Sequence, residues 1–269
     1  MRAVLNQVAA LTRRDLIIER SYQFQLLMAL FGIVLSVLTF FFLGRLIGDA
    51  EELAQYDGGY FEFALIGLLV MGYSQVCVST FGHSISEAQA AGTFEVLLAS
   101  RVRLPVLMFG TLIVPLLFAS VEAAVYLALG WLLGGFVIPP GAIGLTMLLL
   151  VLTLGTFAAI GIFSAAAITL TKRGDPFSTL ALQATNTLAG AVFPITVLPD
   201  WLQVVSHAIP AFYGLQGLRE VLLAGGGIDD VAVELAVLVA FNLVLLPISL
   251  LVLSRAIRMA RVTGTLGNR

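Results

Sequence analysis

The chain has 269 residues, 59% of them hydrophobic and only 11% charged, with a net charge of −2 and a mean hydropathy of +1.03. An ordinary soluble domain carries roughly 25% charged residues, so a water-soluble fold of this length is excluded and an all-α membrane protein is expected. The single cysteine, Cys77, rules out an internal disulfide and sits in an apolar run, where it is read as a packing residue.

In chain order, residues 1–22 form a basic segment. Leu5, Val8, Thr12 and Leu16 lie on one stripe, with Arg13, Arg14 and Arg20 elsewhere, the pattern of a helix lying at a membrane or protein surface. The charges Arg13, Arg14, Asp15, Glu19 and Arg20 precede an apolar run too long for a signal core, so this end is expected to stay as the first anchor. A crossing needs roughly 20 apolar residues, and uncharged runs near that length occupy 26–44, 63–86, 104–121, 123–171, 176–198 and 235–254. Pro139-Pro140-Gly141 must break the long fourth run. Its first part, to Trp131, then joins the third span, with Glu122 as an interruption inside one helix. Six crossings result.

Arginine and lysine stay on the cytoplasmic side of short loops. Twelve of the fourteen basic residues fall on one side, and only Arg45 and Arg219 fall opposite, where Asp49, Glu51, Glu52, Asp57, Asp229, Asp230 and Glu234 gather. Both termini are therefore expected in the cytoplasm, in a multi-pass protein of the cell's inner (cytoplasmic) membrane.

Between the second and third spans, the loop 85–103 has helical periodicity. Phe94, Leu97 and Leu98 form a short apolar face, and Glu87, Gln89 and Glu95 a polar one, with a break at Gly92 and Thr93 as a cap for the second half. Beyond the fifth span, Pro199 ends a helix, Asp200 with Gln203 offers a capping box, and Pro210 breaks the short helix so begun. Phe212, Leu215, Leu218 and Leu222 then stripe a second helix too short to cross a bilayer. Within the spans, Gln75, Ser79 and His83 repeat every four residues, and Gln183, Asn186, Thr187 and Gly190 share a side of the fifth. These form either a weakly polar route or hydrogen bonds between helices. Glu122 is costly if ionised at mid-membrane, so it is either a functional acid or a buried hydrogen-bonded carboxyl. Gly130 and Gly134 form a G-x-x-x-G.

No phosphate-binding loop occurs, and the sole lysine, Lys172, comes after no glycine-rich turn. His83 and His207 fall on opposite sides of the membrane without a metal-binding motif, and no G-x-S-x-G is present. The chain is expected to have no catalytic residues, no metal and no cofactor of its own, and no nucleic-acid partner.

Gly92, Thr93, Phe94, Glu95, Leu97 and Leu98 match a G-T-[LF]-E-x-L-L-like motif, and with it the chain resembles the membrane subunit of a type-2 ABC exporter, the family of polysaccharide, O-antigen and drug export permeases. A second match is the spacing of Pro194, Pro199, Trp201, Pro210 and Arg219 before the last span. The resemblance covers essentially the whole chain, 1–269, as one transmembrane domain. It implies an interface helix over 1–22, a cytoplasmic coupling helix within 85–103 that docks on a separate ATPase subunit through Glu87 and Gly92–Leu98, and an external re-entrant hairpin over 199–224. It further implies a path lined by Gln75, Ser79, Gln183, Asn186 and Thr187 at a dimer centre, a gate formed by the hairpin residues, and two ATPase subunits carrying the ATP and magnesium. A hydrophobic or amphipathic substrate, whether drug, lipid or lipid-linked glycan, would leave through a homodimer or related heterodimer surrounded by lipid. The alternatives are an intramembrane lipid-modifying enzyme using Glu122 or His83, and a membrane scaffold without transport.

Overall fold

The computed structural model describes residues 23–48, 59–90, 92, 104–171 and 176–262, and these are helical without a strand. The expected interface helix over 1–22 and the coupling residues Thr93, Phe94, Glu95, Leu97 and Leu98 lie outside them.

Five long helices dominate: α1 (Gln23–Ile47), α2 (Tyr60–Ala90), α3 (Leu104–Gly134), α4 (Ile143–Thr171) and α8 (Ala232–Val262). At 1.5 Å per residue the 25-residue α1 extends about 37 Å and the 31-residue α2 about 46 Å, against a hydrocarbon thickness of about 30 Å. All five are long and apolar enough to cross a membrane. Where water is absent, a helix is the form in which a segment satisfies its own backbone. Glu122 lies inside the unbroken α3, as expected.

The apolar run 176–198 is not one helix. Only α5 (Pro176–Leu188) is helical, about 20 Å long, and an irregular stretch with a 3-10 turn at Ile195–Val197 comes after it. Hydropathy reads through this stretch, but the backbone cannot. Gly190 takes φ 73°, and the Ala191 and Gly190 amides donate to Asn186 O (3.0 Å) and Thr187 O (3.3 Å), the double bond of a Schellman cap. Pro194 and Pro199 have no amide to resume a helix.

Two short helices, α6 (Asp200–His207) and α7 (Pro210–Leu223), build the hairpin. Its expected capping box does not form. Pro199 occupies the N-cap position, Asp200 falls one residue inside the helix, and the Gln203 side chain reaches Leu198 O instead (2.8 Å). At the other end of the bundle α2 runs on through residues 85–90, so the expected loop begins as helix; the break comes at Gly92, φ 66°.

The core centres on α2, with Phe63, Leu65, Ile66, Cys77, Val78 and Phe81 almost fully buried. α4 lies between α2 and α8. Small residues permit its close approach, since a Cβ on Gly161 would overlap the Cys77 carbonyl oxygen and come within 3.0 Å of the Val78 Cα. Gly130 and Gly134 of α3 likewise face Leu65 and Phe61 of α2. In contrast, α1 presents Leu27, Phe31, Leu35, Phe42 and Leu46 outward, and α8 presents Leu243, Val244, Ile248 and Leu251. Such continuous apolar exposure requires lipid or another membrane-embedded chain.

Candidate functional site: a clasped hairpin above a polar strip

α7 does not rest on the bundle surface. Its Gly214 abuts Thr153 and its Gly217 abuts Leu149 of α4, six to ten residues from the start of that helix. The hairpin therefore dips about 10–15 Å into the bundle. Phe212, Leu215 and Leu218 are buried against α4, α8 and α2, which explains the stripe seen in the sequence. The corner between α6 and α7 is fastened by Tyr213 Oη donating to His207 O (2.9 Å) and by the Phe212 ring lying 4.9 Å from the His207 ring. Trp201, which the family resemblance implies as a gate residue, projects from α6 at 68% exposure.

Arg219 is the centre of this region. It is 4% exposed, and its Nη1 donates to Gly190 O (2.8 Å) while its Nη2 donates to Ala191 O (2.7 Å) and Phe63 O (3.3 Å). The guanidinium carbon lies 3.4 Å from the Phe63 ring centroid. One side chain of α7 thus binds two loop carbonyls just beyond the C-terminus of α5 and grips the start of α2. A cation suits the negative end of a helix dipole, and a planar fork serves two acceptors better than an ammonium can. Bonds to a charged donor contribute about 1.5–3 kcal/mol each, against roughly 2.5–3.5 kcal/mol for placing an arginine at mid-membrane; three of them offset the desolvation.

Two contributors to this clasp escaped the sequence. Tyr60 Oη donates to Val192 O (3.0 Å), and Gly67 lets the α5 break lie directly on α2, where any Cβ would overlap the Ala191 carbonyl. Gly67 is hidden in an apolar run, and nothing in its local pattern marks it. Pro194 starts the 3-10 turn inside the irregular stretch, Pro199 ends that stretch, and Pro210 opens α7.

Below the clasp, α2 and α5 are adjacent and joined at Ser74, whose hydroxyl is shared between Met71 O of its own helix (2.8 Å) and Asn186 Oδ1 (3.3 Å). Gln75, Gln183 and Thr187 are exposed and Ser79 partly so, its hydroxyl turned back to Gln75 O (2.6 Å). Along α2 the strip continues to an exposed His83–Glu87 pair at 3.5 Å, too solvated to contribute much to stability. Four of the five residues expected on a path thus offer side chains outward on two adjacent helices, and the fifth, Asn186, ties those helices together. Of the expected coupling residues, Glu87 is exposed on the last turn of α2 and Gly92 turns just beyond it.

Glu122 belongs to a separate group. It is half-buried one turn before Tyr126 on α3, and the nearby Ser120 accepts from Tyr73 Oη (3.1 Å). His83 lies ten residues further along α2 than Tyr73, about 15 Å away, so these two candidate acid–base residues do not converge. No group of three or more metal-ligating side chains occurs among the described residues.

A family model described as ABC-2 type transporter matches residues 6–223. No curated protein matches the chain.

Proposed function

The chain belongs to the ABC-2 type transporter family, and on that premise we propose that this multi-pass permease is the membrane subunit of an ATP-driven exporter. A separate ATPase, present in two copies, supplies the energy through Glu87 and 92–98, and hydrolyses magnesium-bound ATP on its own surface. Two permease chains, identical or related, face each other across the α2–α5 strip. The substrate is hydrophobic or amphipathic: drug, lipid or lipid-linked glycan. The observation that carries this function is the placement of Gln75, Ser79, Gln183 and Thr187 at the surface of adjacent helices directly below a clasped re-entrant hairpin. A weakly polar lining under a movable plug suits an amphipathic cargo better than a sealed core does.

Six crossings with both termini in the cytoplasm agree with the twelve basic residues on one side. They also agree with the course of α5. Ser178, near its start, is bonded to Ser164 in the second half of α4, Asn186 meets Ser74 at the middle of α2, and Val192 meets Tyr60, the first residue of α2. These contacts support a crossing by 176–192, although only its first part is helical. The hairpin lies at the outer face of the inner membrane and the α2–α3 loop in the cytoplasm.

The test is co-expression with an ABC ATPase, sought first in the neighbouring coding region, then reconstitution in lipid and measurement of substrate-stimulated ATP hydrolysis and transport. Deletion of 92–98 should abolish stimulation with insertion intact, and Gln183→Leu combined with Thr187→Val should alter substrate preference. Transport that survives the deletion rejects the coupling role, and a chain that never binds an ATPase favours a scaffold.

A further inference from the structure

Beside the clasp lies a cavity of about 210 Å³, lined in part by Arg219, His207, Gln216 and Thr196 on its polar side and by Phe63 and Phe212 on its apolar side. We propose that it binds a single phosphate-type anionic headgroup. Drug-sized ligands need roughly 300–1,000 Å³, so the volume selects a small group rather than a whole amphiphile. Its lining residues supply a guanidinium, an imidazole, an amide and a hydroxyl, and no carboxylate. That donor set favours an oxyanion over a cation or a neutral sugar.

The site is built before any ligand arrives. The bonds to Gly190 O and Ala191 O fix the guanidinium, and Nδ1 of His207 is 2.6 Å from Gln203 O, which orients the ring. The hairpin and the 3-10 turn before it also expose Val197, Trp201 and Val204 at 63%, 68% and 72%. An exposed tryptophan beside valines is the composition of a membrane interface, so acyl chains lie next to a cavity suited to their headgroup. Both an anionic phospholipid and a phosphorylated solute present this chemistry.

This site is distinct from the export step, so its binding is measured on the permease alone. Purified chain is placed in phosphatidylcholine nanodiscs with or without phosphatidylglycerol, and retained lipids are counted by native mass spectrometry, with inorganic phosphate as competitor. Preferential retention of one phosphatidylglycerol per chain is expected for a lipid site. Binding of inorganic phosphate without lipid preference assigns the site to a solute phosphate. In either case Thr196→Val with Gln216→Leu, which leaves the Arg219 carbonyl bonds untouched, should weaken binding about tenfold or more. Equal retention of both lipids with no phosphate binding overturns the site, as does a double variant that binds like the parent.

Discussion

Replacing Gly67 by alanine isolates the contact on which the clasp depends. The added methyl would overlap the carbonyl oxygen of Ala191 and lie 3.2 Å from Arg219 Nη2. The first obstacle is backbone, so no rotamer change relieves it. Overpacking costs about 1–3 kcal/mol, and a displaced Ala191 loses one bond to a charged donor, about 1.5–3 kcal/mol. Alanine regains about 1 kcal/mol of helix propensity over glycine, leaving a net loss of about 1.5–5 kcal/mol. At roughly 2–4 °C per kcal/mol for a chain of this size, the unfolding midpoint should fall by about 3–20 °C. The lone thiol, Cys77, is buried, so its reaction with a thiol-activated dye during heating at a fixed scan rate reports unfolding directly. Gly72→Ala on the same helix is the control, because a Cβ there meets nothing within 4 Å. An unchanged or raised midpoint for Gly67→Ala, or an equal fall for Gly72→Ala, would refute the close approach.

Arg219→Lys keeps the charge and loses the fork, so the same dye assay should place it below the parent but above Arg219→Met; equal midpoints for lysine and arginine would make the charge alone sufficient. A double-mutant cycle with Ser74→Ala and Asn186→Ala should give a coupling of about 0.6 kcal/mol, the usual value for a bond between membrane helices, and additive losses would deny the link between α2 and α5. Gly161→Val should be among the most damaging single changes to the α2–α4 seam, read as loss of monodisperse protein after extraction; normal yield and midpoint would contradict that packing.

The sequence made legible whatever depends on runs of like residues. The long helices, the continuity of α3 through Glu122, the stop at Gly92 and the hairpin between Pro199 and Pro210 all come from local apolarity or from glycine and proline chemistry. The break in 176–198 was hidden because hydropathy measures what a side chain prefers and not which φ a backbone takes; Gly190 carries that information and no apolar average reports it. Tyr60, Gly67 and Ser74 stayed hidden for a different reason. Each acts through a partner more than a hundred residues away, so their roles exist only once α2 and the end of α5 lie side by side. Arg219 was singled out by spacing, but its carbonyl acceptors required the fold.

For the gate proposed above, the clasp restricts which interface is expected to move. Three bonds to the guanidinium total about 4.5–9 kcal/mol, while shifting a two-state gate from 1:99 to 99:1 takes about 5.5 kcal/mol. Opening by rupture would consume the whole switching energy, so the start of α2, the end of α5 and α7 are expected to travel as one body. The opposite face of α7 is held differently. It is held by packing: Gly214 and Gly217 lie against Thr153 and Leu149, and the Thr153 hydroxyl is bonded within its own helix to Leu149 O (2.7 Å) rather than across the seam. Sliding is expected at that seam. A cysteine pair at Gly214 and Thr153 tests it, since a Cβ on Gly214 would stand 3.0 Å from the Thr153 Cβ, near enough to a disulfide's roughly 3.5–4.5 Å to close after a small shift. Oxidation should stop transport by the reconstituted complex while the Cys77 midpoint holds or rises, and reduction should restore it. Undiminished turnover with the bridge closed would place the moving surface elsewhere, and rupture of the Arg219 bonds would become the remaining way to open the hairpin.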